Sequence, residues 1–127
     1  MSDPDSLKEL LHAGLALARQ RVADDGGFSA FGVVLANNGY NIIETVEVDD
    51  GDLNDVLEFL RERAAQANAD AFILCVNGSV YLSEEKVTMN TIKVVLEGAG
   101  RRMNAYQLYG KNIEGEWVFA PLEEEPG

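Results

Sequence analysis

The run Ala71-Phe72-Ile73-Leu74-Cys75-Val76 constrains this chain most tightly, because it offers no polar side chain to water. A strand sends successive side chains to opposite faces, so an uninterrupted apolar strand needs cover on both. The run therefore predicts a central strand, and the rest of the chain must supply its cover. Two segments have the spacing to do so. Leu7, Leu10, Leu11, Leu15, Ala18 and Val22 recur at helical intervals over about residues 5–23. Asp3-Pro4 suits the start of that helix, Arg19 and Arg21 fall in its predicted last turn, and Asp24-Asp25-Gly26-Gly27 stops it. Leu53, Val56, Leu57, Leu60, Ala64 and Ala67 mark a second helix ending near Asn68. Asp52 is placed to cap it, with Asp55 as the supporting acid.

The remaining segments read as strands and turns. Phe28 to Ala36 puts Phe31, Val33 and Leu35 on one face and Gly32, Val34 and Ala36 on the other. Asn37-Asn38-Gly39 predicts a hairpin turn into a strand from about Asn41 to Val48, and Asp49-Asp50-Gly51 a second turn. Asn77-Gly78 carries the strongest hairpin signature in the chain, which predicts that the apolar strand turns there into Val80-Tyr81-Leu82. Thr91 to Glu97 forms the next strand, with Ile92, Val94 and Leu96 facing one way. Gly98-Ala99-Gly100 turns it into about Arg102–Tyr109, and Asn112–Gly115 turns again into Trp117-Val118-Phe119.

Short links between strands demand antiparallel neighbours. The expected fold is α+β: an N-terminal helix, a β-hairpin, a second helix and an antiparallel β-meander, with the helices packed on a single sheet. Residues 1–122 form one domain, and 123–127 an acidic, disordered tail.

From Phe28 onward the chain resembles a group of small bacterial proteins of unknown function. The resemblance rests on Phe28, Phe31 and Gly39 in the first hairpin and Leu60-Arg61 in the second helix. It continues through Asn90-Thr91-Ile92, Leu96-Glu97-Gly98, Leu108-Tyr109, and Gly115 before Phe119. That group has Asp-Ala where Asn90-Thr91 stand, His at Gly98 and Pro at Leu108. The resemblance implies a fold and no activity. By analogy of element order, profilin-like and roadblock-like domains are also similar, and these act mostly as binding scaffolds.

Charge narrows the partners. The chain carries 22 acidic and 10 basic residues, a net charge of −12. Between Arg21 and Arg61 it has no Lys or Arg, while Asp24, Asp25, Glu44, Glu47, Asp49, Asp50, Asp52, Asp55 and Glu58 crowd the same stretch. Such a field repels nucleic acid and anionic membranes and draws basic proteins or cations. A protein partner, basic in character, is expected, and a second copy of the chain is another candidate. No apolar run approaches the ~20 residues of a membrane span, and the acidic N-terminus lacks a secretory pattern. The expected location is the cytoplasm.

Catalytic constellations are hard to assemble from these residues. His12 is the single histidine, and Cys75 sits in the most apolar strand, where a thiol behaves as a small hydrophobe. Ser29, Ser79 and Ser83 lack a nucleophile-elbow setting. Gly98-Ala99-Gly100-Arg101-Arg102-Met103 lacks the last glycine of a dinucleotide loop and joins two strands. The acidic loop fails the EF-hand register: with Gly51 as the loop glycine, Val46 and Leu57 fall at the first and last ligand positions. No cofactor and no metal is assigned.

The expected reading is a non-catalytic acidic interaction module. The alternative is a small-ligand or divalent-metal domain, or an enzyme, using carboxylates near Glu44 and Asp49–Asp55. The candidate binding residues are Glu44, Glu47, Asp49, Asp50, Asp52, Asp55, Tyr106, Tyr109 and Trp117. Glu44 stands out because Ile42, Val46 and Val48 share its predicted face, and a carboxylate among apolar neighbours needs a partner or an exit to water. The aromatics either fill a core or, if one sheet face is open, form a contact patch.

Overall fold

A computed structural model describes residues 4–36, 42–47, 52–66, 69–98 and 100–124. Helix α1 spans Pro4–Asp25 and α2 Leu53–Gln66. The strands are β1 (Phe31–Ala36), β2 (Ile42–Glu47), β3 (Ala69–Leu82), β4 (Val87–Gly98), β5 (Arg101–Lys111), β6 (Trp117–Phe119) and β7 (Glu123–Glu124). They make one antiparallel sheet in the order β2-β1-β3-β4-β5-β6, with β7 also pairing β5. The fold is α+β, with the sheet curled toward a half-barrel.

Strand β3 is covered on both sides, as its composition requires. Ala71, Ile73 and Cys75 join α1's Leu10, Leu15, Ala18 and Val22 in one core, completed by Phe31, Val33, Ile92, Val94, Leu96, Ala105 and Tyr109. Phe72 and Leu74 point the other way, into a smaller core with Val34, Val95 and α2's Leu57, Leu60 and Ala64. The helices thus lie on opposite faces. Each fully buried Leu, Ile or Phe contributes roughly 1.5–3 kcal/mol, so the larger α1 core carries more of the stability.

The chain departs from sequence expectation at several ends. Helix α1 runs on to Asp25, where Gly26 adopts φ +80° and its N–H donates to Val22 O at 2.8 Å. That left-handed glycine cap lies beyond both aspartates. Arg19 and Arg21 therefore fall short of the last turn, and both turn to packing. Arg19 Nε donates to Gln107 Oε1 at 2.9 Å, and Arg21 lies 4.4 Å from the Phe31 ring centroid. At α2 the predicted cap forms: Asn54 N–H donates to Asp52 Oδ1 at 2.9 Å.

The largest correction concerns Asn77-Gly78. No turn forms there; β3 continues to Leu82, pairing residue for residue with β4 out to Leu82↔Val87. The reversal is made by Ser83–Lys86, with Lys86 at φ +56°. Gly78 stays in extended backbone opposite Thr91. Asn77 has a tertiary task instead, accepting a hydrogen bond from the Tyr109 hydroxyl. Cross-strand pairing over the whole of β4 outweighs a local turn preference.

At the β5–β6 turn, Asn112 Oδ1 accepts from the N–H groups of Glu114 and Glu116, both at 2.9 Å, which closes the predicted turn before β6. Glu123 and Glu124, expected to begin a disordered tail, pair instead with Tyr106 and Ala105. The turn predictions at Asn37-Asn38-Gly39 and Asp49-Asp50-Gly51 lie outside the described residues.

Two glycines test this register. A methyl on Gly32 would overlap Leu60 Cδ2, so Gly32→Ala should destabilise by about 1–3 kcal/mol in urea unfolding. A methyl on Gly78 meets only ordinary contacts at 3.7 Å, so Gly78→Ala should be neutral or gain about 0.5 kcal/mol. A clear loss at Gly78 would instead indicate a turn there.

Candidate functional site

The two faces of the sheet are covered unequally. On the α1 side the core extends from β1 across to β6, with Trp117 and Phe119 packed against it. Helix α2 packs mainly on β1 and β3, reaching β4 at Val95 and Glu97. Past it, the register aligns Val80 with Met89 and Leu82 with Val87 across β3–β4. Thr91 stands opposite Leu108, and Gly110 opposite Val118. These residues share the α2 side with Phe72 and Leu74 through strand alternation. Val87 is 43 % exposed and Val118 50 %, while Val80, Leu82, Met89 and Leu108 are half-buried. Gly110 brings no side chain, and a shallow depression of about 350 Å³ forms between Met89, Leu108 and Val118.

The surroundings of this apolar end are mostly acidic. Successive turns of a meander lie at opposite sheet ends, so the β3–β4 and β5–β6 turns share one end and flank the depression together. They carry the exposed carboxylates Glu84, Glu85, Glu114 and Glu116, against Lys86 and Lys111.

The other end of the same face is cationic. A cleft of about 500 Å³ opens where the end of α2 meets the β4–β5 turn, lined by Arg61, Arg101, Arg102 and Glu97 over a floor of alanines and Phe72. Arg61 spans from α2 to β4: its Nε donates to Glu97 Oε1 at 2.7 Å and its Nη2 to Glu97 Oε2 at 3.0 Å. Glu97's hydrogen bonds and charge raise the Arg61 pKa further above its ordinary value. Arg102 stands opposite Glu97, but its Nε donates to Asn104 Oδ1 at 3.3 Å.

The residues singled out from the sequence do not converge. Asp52 is exposed and spent on capping α2, and Asp55 is exposed in its first turn. Glu44 and Glu47 stand opposite Val34 and Phe31 in the edge strand β2; their side chains, like all of Asp49 and Asp50, lie outside the described residues. Tyr109 is buried on the α1 side, its ring 5.8 Å from both Trp117 and Phe119. Tyr106 is half-buried on the opposite face, beside Lys93. Sequence reasoning passed over Val80, Leu82, Met89, Leu108 and Val118. Strand alternation would have grouped them had β3 been continued through Gly78.

Nucleophile and base also lie apart. Cys75 is wholly buried beneath α1, whereas His12 is exposed on that helix. Among the described residues, no group of three or more His, Cys, Asp or Glu is arranged to hold a metal ion. No described helix is long and apolar enough to cross a membrane.

Burial pushes the Cys75 thiol up to about 12 from an ordinary 9.0, with Arg21 opposing the shift. Its neutral form is thus the one the fold favours. The stabilisation it carries is complete below pH 9 and is lost as pH rises from 9 toward 12. Iodoacetamide at pH 8 should label native Cys75 only at the rate of unfolding, and added urea should accelerate labelling; rapid labelling in native buffer would contradict the burial. No family model, no curated protein and no solved structure matches this chain.

Proposed function

We propose that this chain is a non-catalytic protein-interaction module that docks a basic partner on the uncovered apolar end of its sheet. The observation that carries the reading is apolar sheet surface beyond α2: Val87 and Val118 are exposed, and Val80, Leu82, Met89 and Leu108 are half-buried around a shallow depression. Contiguous exposed apolar surface of this kind, rimmed by charge, marks interaction sites. The four carboxylates of the flanking turns and the net charge of −12 favour a partner with a basic rim. An acidic inhibitor of a basic target is one form such a module takes.

The sheet edges support face docking over edge pairing. Charged residues on edge strands oppose pairing with another chain. The β2 edge contains Glu44 and Glu47, and the opposite edge is broken at Pro121 between β6 and the glutamates of β7.

A photoreactive residue in place of Val118 tests the reading. It should yield an adduct with a basic protein, weaker at 500 mM than at 50 mM salt, and lost on Val87→Asp. The same probe at Gln20, exposed on α1, should yield none. Equal adducts from both positions, an acidic partner, or an adduct that survives Val87→Asp would contradict it. Adducts between two copies of the chain would replace the basic partner with a homodimer.

A further inference from the structure

We propose that the arginine cleft at the β4–β5 turn is an oxyanion site for a small phosphate monoester. Its basis is independent of the apolar end. Three of the ten basic residues of a strongly acidic chain line this one cleft, and among the described residues Glu97 is the one carboxylate in its lining. The described lining is therefore two charges positive, which matches a phosphate dianion. The cations are all arginines, whose planar forks hold phosphate oxygens in pairs; a lysine presents only a point charge.

The site is partly organised in advance. Glu97 grips Arg61 along its Nε and Nη2 edge, which fixes the guanidinium plane and leaves Nη1 without a partner among the described residues. Asn104 steadies Arg102, while Arg101 makes no hydrogen bond or ion pair among them. Gly100, at φ +73°, has nothing within 4 Å of where a Cβ would stand, so the turn side stays open. Ala64, Ala65, Ala69 and Ala71 keep the floor shallow and apolar. About 500 Å³ falls within the range of small-ligand sites. An opposing term comes from the C-terminal end of α2, whose dipole disfavours an anion by about 0.3–1 kcal/mol. Two net positive charges outweigh it.

Phenyl phosphate is the probe, titrated at constant ionic strength made up with chloride. The melting temperature should rise by about 5 °C at ten times Kd. The amides of Gly98, Gly100, Arg101 and Arg102 should shift in the NMR spectrum. Both arginines of the turn are exposed, so the Arg101→Ala/Arg102→Ala double variant should fold as before yet bind at least tenfold more weakly. Arg102→Lys, which keeps the charge but not the fork, should lose severalfold. Absence of both thermal and amide shifts, or the same affinity in the double variant, would overturn the site. A phosphoserine peptide binding more tightly than phenyl phosphate would overturn the small-molecule occupant.

Discussion

Everything in this fold depends on covering one strand twice. Ala71 to Cys75 alternate between two cores, and neither helix can serve both. The order of the chain solves this by placing one helix before the first hairpin and one after it. The long α1 covers the larger core; the shorter α2 covers mainly β1 and β3, reaching β4 at Val95. The inequality of the helices, 22 residues against 14, is what leaves sheet surface uncovered.

Polar contacts inside the larger core hold α1 in register with the far strands. Gln107 is nearly fully buried, and each end of its amide is used. Its oxygen accepts from Arg19, and its nitrogen donates to Ala120 O at 2.7 Å. Thr91 Oγ1 donates to the Gln107 carbonyl at 3.2 Å from the neighbouring strand. A buried amide left unpaired would cost roughly 1–3 kcal/mol, so these bonds tie helix, sheet and final segment together.

The parts legible in the sequence were those with strong periodicity. Both helices, the two-sided strand, the Asp52 cap and the Asn112 turn follow from side-chain spacing and local hydrogen bonding. What stayed hidden was tertiary. Asn77-Gly78 has turn chemistry in isolation, but the Tyr109 hydroxyl claims the asparagine, and pairing with β4 holds the glycine extended. That one misplacement concealed the apolar end, since Val80 and Leu82 then belonged to a separate short strand. Arg61 and Glu97 lie 36 residues apart, so no local rule could pair them. The acidic stretch drew attention through composition, yet its described members Asp24, Asp25, Asp52, Asp55 and Glu58 are simply exposed.

The central claim is that β3 and β4 form one long hairpin whose outer half carries an open apolar face. Cross-strand nuclear Overhauser effects measure this directly. The account predicts contacts linking Val80 with Met89 and Leu82 with Val87, continuous with those joining Leu74 to Val95. Contacts closing a tight turn across Asn77-Gly78, bringing Val76 against Ser79, would contradict it and remove the proposed surface.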